Sequence, residues 1–190
     1  YVCGRNGRPL DGATPTSYYL RKHIVEATSF VTGSEMSYQH IFPFFRYAEV
    51  LLNYAEALAA ATQNPDFTGM KGEVEYTLSP REALNAVRAR YNMPGITETD
   101  YAAFVKRLRN ERRVELAFEG HRFWDIRRWK IGAETTKVYG LTITPQNDGS
   151  FSYMRSVIQQ RGWEDRMNFY PIADAELFKN HNLVQNDGWK

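Results

Sequence analysis

Residues 111–129, ERRVELAFEGHRFWDIRRW, constrain this chain more than any other stretch. Charged side chains are interleaved there with Val114, Leu116, Phe118, Phe123, Trp124, Ile126 and Trp129. A solvated helix has no use for so many large apolar residues. A plain core helix would not carry so many charges. Buried charges persist mainly when they are paired and hydrogen-bonded. The mixture therefore predicts a long helix, buried on several sides, with its charges paired internally.

Spacing places that helix. Thr97 and Asp100 open it, and it runs to about Glu119. Tyr101, Phe104, Leu108, Glu111, Glu115, Phe118 and Arg122 fall near one stripe. Gly120 breaks or bends it, and His121 to Lys130 continues as a second helical piece.

Two helices precede it. Over Phe42 to Ala61, Tyr47, Leu51, Tyr54 and Leu58 recur at helical spacing. Ala48, Ala55 and Ala59 form an adjacent face of small residues that lets another helix approach closely. Asn64-Pro65 ends this helix, and Asp66 to Leu78 reads as a loop. Ser79-Pro80-Arg81-Glu82 is a helix start with a capping box and a proline at the first position. Ala83, Leu84, Val87 and Tyr91 make its apolar face, and Pro94-Gly95 stops it. The pair reads as a tetratricopeptide-like hairpin with a long turn, and other units must pack on it.

The flanks are less regular. Residues 1–17 are rich in glycine and proline, and Tyr18 to Val31 reads as a strand or two. Gln146-Asn147-Asp148-Gly149 is a tight turn between short strands within Gly140 to Arg161. A short helix runs from Asp174 to about Phe178. The fold class is mostly α, with a few short strands and long loops. At 190 residues the chain has the length of one domain with a real core.

Composition narrows the function. Net charge is +2, from 24 basic and 22 acidic residues, which gives no reason to propose nucleic acid or an anionic membrane. Cys3 is the only cysteine, so no intrachain disulfide forms, and no partner histidine pattern makes it a nucleophile. No run approaches the ~18 apolar residues of a membrane span. The first residue is Tyr1, so the chain reads as a piece of something longer whose export signal would lie upstream. Aromatic residues make up 14%, which suits either an aromatic core or a sugar-binding surface.

The charged helix invites a catalytic reading. Glu115 and Glu119 are one turn apart, as the paired carboxylates of a glycoside hydrolase could be. Arg112 and Arg122, however, lie three residues from Glu115 and Glu119 respectively. An adjacent arginine lowers a carboxyl pKa, the wrong direction for a general acid. We therefore expect no catalytic residue. Glu111, Arg112, Glu115, Glu119, Arg122 and Asp125 read as an ion network tying helices together. His121 and Asp125, four apart, read as a hydrogen-bonded pair at a helix join. No third or fourth ligand is evident, so no metal is expected, and no spacing suits calcium. Phosphate-binding loops are absent and no cofactor is expected.

Several segments together resemble the carboxy-terminal part of the SusD/RagB family. Arg46 to Ala57 matches its R-x-A-E-x-x-L-x-x-A-E-A helix. Asn85 with Ala86-Val87-Arg88-Ala89-Arg90 matches its N-x-V-R-x-R segment. Glu111 to Arg122 resembles its E-R-R-x-E-L-x-x-E-G-x-R core, continued by Trp124-Asp125-Ile126-Arg127-Arg128-Trp129. Pro171-Ile172 with Glu176, then Asn182, Leu183 and Gln185-Asn186, resembles its closing segments, and Tyr18 to Lys22 its entry strand. Ala173 stands where proline is usual, and Asp187 stands before Gly188-Trp189, which touches only local turn geometry.

The resemblance implies a SusD-like fold over residues 1–190 as a single carboxy-terminal domain, with the family's amino-terminal half and its lipidated cysteine absent. It implies a non-enzymatic, surface-exposed outer-membrane lipoprotein of Bacteroidetes. Such a protein binds oligosaccharide, or in some members peptide, as a lid on a SusC-like TonB-dependent transporter. Its membrane association would come only from an amino-terminal lipid anchor.

Sugars present flat apolar faces on which exposed aromatic rings stack. Tyr47, Tyr54, Phe118 and Trp124 lie on apolar stripes and are expected in the core. The loop aromatics Phe67, Tyr76, Tyr153, Trp163 and Tyr38 are the glycan-contact candidates, Trp163 first among them. The alternative is a scaffold that docks on the transporter without touching sugar. Solvent exposure separates the readings: two or three co-planar exposed aromatics in a shallow groove for binding, a flat face without a groove for docking, an open cleft over Glu115 and Glu119 for hydrolysis.

Overall fold

A computed structural model describes residues 14, 16, 18 and 20–189. Cys3, like the rest of the first thirteen residues, lies outside the described residues. The described residues group into two compact units, Ala27–Arg122 and the described part of Tyr1–Glu26 with Phe123–Lys190.

The first unit is helical. Helix α1 (Tyr47–Thr62) buries Ala48, Leu51, Leu52, Ala55, Leu58 and Ala59. The alanines let α2 (Pro80–Ala89) close on it through Ala83, Leu84 and Val87. Helix α1 ends where Gln63 turns left-handed and its N–H returns to the Ala59 carbonyl. Ser79 caps α2 as the sequence predicts. Its hydroxyl accepts from Glu82 N at 3.2 Å, and Glu82 Oε2 accepts from Ser79 N at 2.9 Å. Between them the expected loop contains a small hairpin, β1 (Gly69–Lys71) and β2 (Val74–Tyr76), turned by Gly72 at φ 62°.

Asn85 fastens the segment after α2. Its side-chain amide donates to the Ile96 carbonyl and accepts from the Ile96 N–H at 2.7 Å, as a strand neighbour would. Helix α3 (Tyr101–Glu115) follows, capped by Asp100 on Ala103 N at 2.8 Å. Phe104, Leu108 and Leu116 complete the core.

The long helix divides earlier than expected. Helix α3 stops at Glu115, and α4 (His121–Arg128) begins six residues later. Phe118 at φ 63° and Gly120 at φ 81° take the chain out of the helical region between them. The apolar stripe is therefore interrupted. Phe118 is 67% exposed and Trp124 60% exposed, although both were expected in the core. Tyr47, at the first position of α1, is also exposed, as is Tyr91, which lies beyond the end of α2. Tyr54 is half-buried and donates to the Leu78 carbonyl.

The second unit holds a hairpin of β3 (Lys137–Pro145) and β4 (Phe151–Gln160), antiparallel, with a bulge beside Val138. Its strands are longer than expected. The predicted turn is present: Gly149 has φ 82°, and Asp148 Oδ1 accepts from Ser150 N and Oγ. Where a strand or two were expected over Tyr18 to Val31, the described residues hold one isolated bridge, Ser29 to Met36. Helix α5 (Asp174–Lys179) is short. Gln185 brackets Ile172 with two amide bonds of 2.7 and 2.9 Å, which fixes the closing segment. No helix among the described residues is long and apolar enough to cross a membrane.

Candidate functional site

Two constellations of chemistry-bearing side chains stand out, one in each unit. The first surrounds Arg46, the residue just before α1. Its Nε donates to Glu119 Oε2 at 2.8 Å and its Nη2 to Glu119 Oε1 at 2.7 Å. Nη1 donates to Glu115 Oε1 at 2.8 Å, and Nη2 also reaches the Glu115 carbonyl. The carboxylates of Glu115 and Glu119 keep only 11% and 5% of their side-chain exposure. The hydrogen bonds it donates to Glu119, then burial opposing them, then the one to Glu115, leave the guanidinium above its ordinary value. One cation thus bonds both acids of the imagined hydrolytic pair. This cation is Arg46, brought from 69 and 73 residues away.

The other charges complete a girdle. Arg88 Nη1 bonds Glu111 Oε2 across α2 and α3. The buried Arg112 donates to Asn53 Oδ1 at 2.6 Å. His121 does not make the expected pair with Asp125. Its Nε2 lies 3.5 Å from Glu49 Oε2 of α1. Asp125, buried to 2%, accepts instead from Arg128, one turn further along α4. The reason is placement: His121 opens α4 where α1 is at hand, whereas Asp125 sits on its buried side.

The second constellation is aromatic. Phe123 and Trp124 of α4 meet edge to face at 5.0 Å, and Tyr170 lies 5.8 Å and 6.2 Å from them. The Arg127 guanidinium stacks 3.6 Å from the Phe123 ring centroid, 5.2 Å from Trp163 and 5.6 Å from Tyr170. Trp124 and Tyr170 are each more than half exposed. Their planes differ by 53°, so they form a corner and not the flat platform foreseen. Such a corner offers a sugar ring one stacking face and one wall.

Trp163 supports this cluster from within. It is half-buried, and its ring fills the place where a side chain on Gly132 would be. A Cβ at Gly132 would fall 1.8 Å from the ring. Tyr153 is 63% exposed on β4. Phe67 and Tyr76 pack on each other at 6.3 Å, and Tyr76 on Tyr54 at 6.2 Å. Tyr38 is 39% exposed. Phe67, Tyr76 and Tyr38 thus belong to the helical unit, and Tyr153 and Trp163 to the other. Sequence reasoning missed Phe123, Arg127 and Tyr170. The four-residue step from Phe123 to Arg127 was a readable signal. Tyr170 arrives from a distant segment and gave none. No group of three potential metal-ligating residues occurs among the described residues.

The comparisons with known proteins agree with this architecture. The SusD family model matches residues 4–189. The chain is similar to SusD-like protein P2 of Formosa agariphila, 33% identical over 75% of this chain and 24% of that protein. It is similar in structure to a SusD-like protein from Bacteroides fragilis, with TM-score 0.61 and 34% identity over 79% of this chain and 26% of that one. A SusD-like carbohydrate-binding protein from the same organism aligns with TM-score 0.59 and 32% identity, over 86% of this chain and 32% of that one. The chain spans about a quarter of the length of the curated relative. With the family model matched over nearly the whole chain, this chain belongs to the SusD family.

Proposed function

We propose that this chain is the carboxy-terminal region of a non-catalytic glycan-binding protein at the bacterial cell surface. In this reading it is held to the outer membrane by a lipid anchor in the longer protein and passes oligosaccharide to a SusC-like TonB-dependent transporter. The observation that carries the reading is the similarity to the Bacteroides fragilis carbohydrate-binding protein over 86% of this chain. The non-catalytic part is supported by Arg46, which occupies both carboxylates that hydrolysis would need. Within this chain the glycan would meet the Trp124–Tyr170 corner, with Trp163 and Arg127 holding it from behind, and Tyr153 as a separate contact.

A second reading has support of its own. Tyr47, Val50, Val114 and Phe118 are all more than half exposed on the helical unit. Such residues suit a surface that packs on protein, as in a scaffold docking on the transporter. Calorimetry against a panel of polysaccharides and peptides separates the two. Heat of binding to one polysaccharide class supports the glycan reading. A folded chain that binds no glycan supports the scaffold.

A further inference from the structure

Tyr170 lies on a stretch with no ladder of its own. Residues 169–173 stand between a 3-10 turn (Asp165–Asn168) and α5, in neither helix nor strand. Phe169 and Ala173, at its ends, have extended backbone. Such a backbone needs partners for its N–H and C=O groups. Side chains of the closing segment provide them. Trp189 Nε1 donates to the Arg166 and Phe169 carbonyls, each at 3.1 Å. Asn186 Nδ2 donates to the Tyr170 carbonyl. Gln185 takes both backbone groups of Ile172. Three side chains thus do for this stretch what a neighbouring strand would do.

The closing segment is itself held in shape. Gln185 Oε1 also accepts from the Asn186 N–H at 2.9 Å, which ties the two amides together. The Trp189 N–H donates to the Asn186 carbonyl at 3.1 Å, and Gly188 at φ 81° turns the chain between them. A Cβ on Gly188 would fall 2.8 Å from that of Arg166, so this turn packs closely on the 3-10 turn. Arg166 Nη1 donates to the Gly188 carbonyl at 3.2 Å, and its guanidinium stands 4.9 Å from the Trp189 ring. The ring of Tyr170 is less confined. It is more than half exposed, and it meets Phe123, Trp124 and Arg127 along one side only. What fixes its position is therefore its backbone.

We propose that Asn186 is a positioning residue of the Trp124–Tyr170 corner: through the Tyr170 carbonyl it sets the Tyr170 ring against Trp124, without touching the ligand itself. Gln185 and Trp189 anchor the residues on either side of Tyr170, and Asn186 reaches Tyr170 directly. Holding the main chain of a residue fixes the direction in which its side chain leaves. A ring set in place before the ligand arrives spares the binding step the cost of ordering it. The consequence for affinity rests on the glycan reading, whereas the consequence for the ring does not.

The test uses the whole chain. Asn186→Asp keeps the shape but sets a carboxylate against the Tyr170 carbonyl, and Asn186→Ala removes the donor. Both should erase the nuclear Overhauser cross-peaks between the Tyr170 and Trp124 rings and keep those between Phe123 and Trp124, which share α4. Should Asn186→Asp fail to fold, Asn186→Ala decides. Calorimetry with soluble starch, xylan, galactomannan and pectin should show affinity for the one that the parent binds falling about fivefold or more. In a Tyr170→Ala background, Asn186→Ala should change affinity by less than about twofold, because no ring is left to place. A merely structural support would lower it again. Val184→Ala, a change at an exposed neighbour, should alter neither readout. Retained Tyr170–Trp124 cross-peaks overturn the proposal, as do lost cross-peaks with unchanged affinity or a full additive loss in the Tyr170→Ala background. A parent that binds none of the four polysaccharides counts against the glycan reading and removes the affinity consequence, while the cross-peaks still decide the positioning.

Discussion

Arg46 holds Glu119 with two parallel bonds, 2.7 and 2.8 Å, across 73 residues of sequence. The same guanidinium reaches Glu115, so the start of α1 is locked to the end of α3 and the turn that follows. The pair is nearly dry at Glu119, whose side chain is 5% exposed. Removing one partner of a buried ion pair leaves an uncompensated charge. Arg46→Ala should destabilise the chain by about 3 kcal/mol. Replacing Arg46, Glu115 and Glu119 together by apolar residues should cost less than that. Urea unfolding of the two variants checks the order, and equal losses would contradict the account.

The cap of α2 gives a pH signature. The Ser79 backbone N–H, then its hydroxyl, holds the Glu82 carboxyl below the usual carboxylate range. A carboxyl depressed in the folded state stabilises above its unfolded pKa, and that contribution disappears as pH falls through the folded value. Glu82→Gln should therefore lose stability at neutral pH and show a shallower acid limb than the parent. Ser79→Ala should cost about 1 kcal/mol at pH 7. Thermal unfolding from pH 7 down to acid resolves both.

Gly132 is a glycine for a steric reason. A methyl there would overlap the Trp163 ring at 1.8 Å. Gly132→Ala should expel the ring, cost about 1–3 kcal/mol or more, and shift tryptophan emission to the red. An unchanged emission spectrum would mean that the ring is not held against Gly132.

Phe118 occupies a left-handed conformation that a side chain pays to adopt, yet its ring is exposed. Left-handed geometry costs a non-glycine residue about 1 kcal/mol. Phe118→Gly should therefore leave stability unchanged or raise it by up to about 1 kcal/mol. A large loss of stability would show that the ring packs in a way its exposure does not reveal.

Much of the fold was legible because local rules decide it. The capping box at Ser79 and Glu82, the alanine face of α1 and the turn at Gly149 each follow from a few adjacent residues. The pairing of charges was legible in kind but not in partner. Sequence spacing pointed to Arg112 and Arg122 and gave no sign of Arg46, which bonds both Glu115 and Glu119. Helical spacing reports neighbours on one helix and says nothing of a side chain delivered by another. The same limit hid the aromatic corner. Trp124 looked like core because it was read as lying on an apolar stripe, but the helix is broken at Phe118 and Gly120, and the ring is more than half exposed. Trp163, first among the glycan-contact candidates, is half-buried, with the Arg127 guanidinium 5.2 Å from its ring and Gly132 against it, which no local spacing announces.

The central claim is that this chain carries part of a glycan site at the Trp124–Tyr170 corner. The most direct test is calorimetric titration of the chain and of Trp124→Ala with the polysaccharide class that binds the parent. The account predicts at least tenfold weaker binding in the variant, with its unfolding midpoint within a few degrees of the parent. Equal affinity in the two proteins, or no glycan binding by a folded parent, would contradict it.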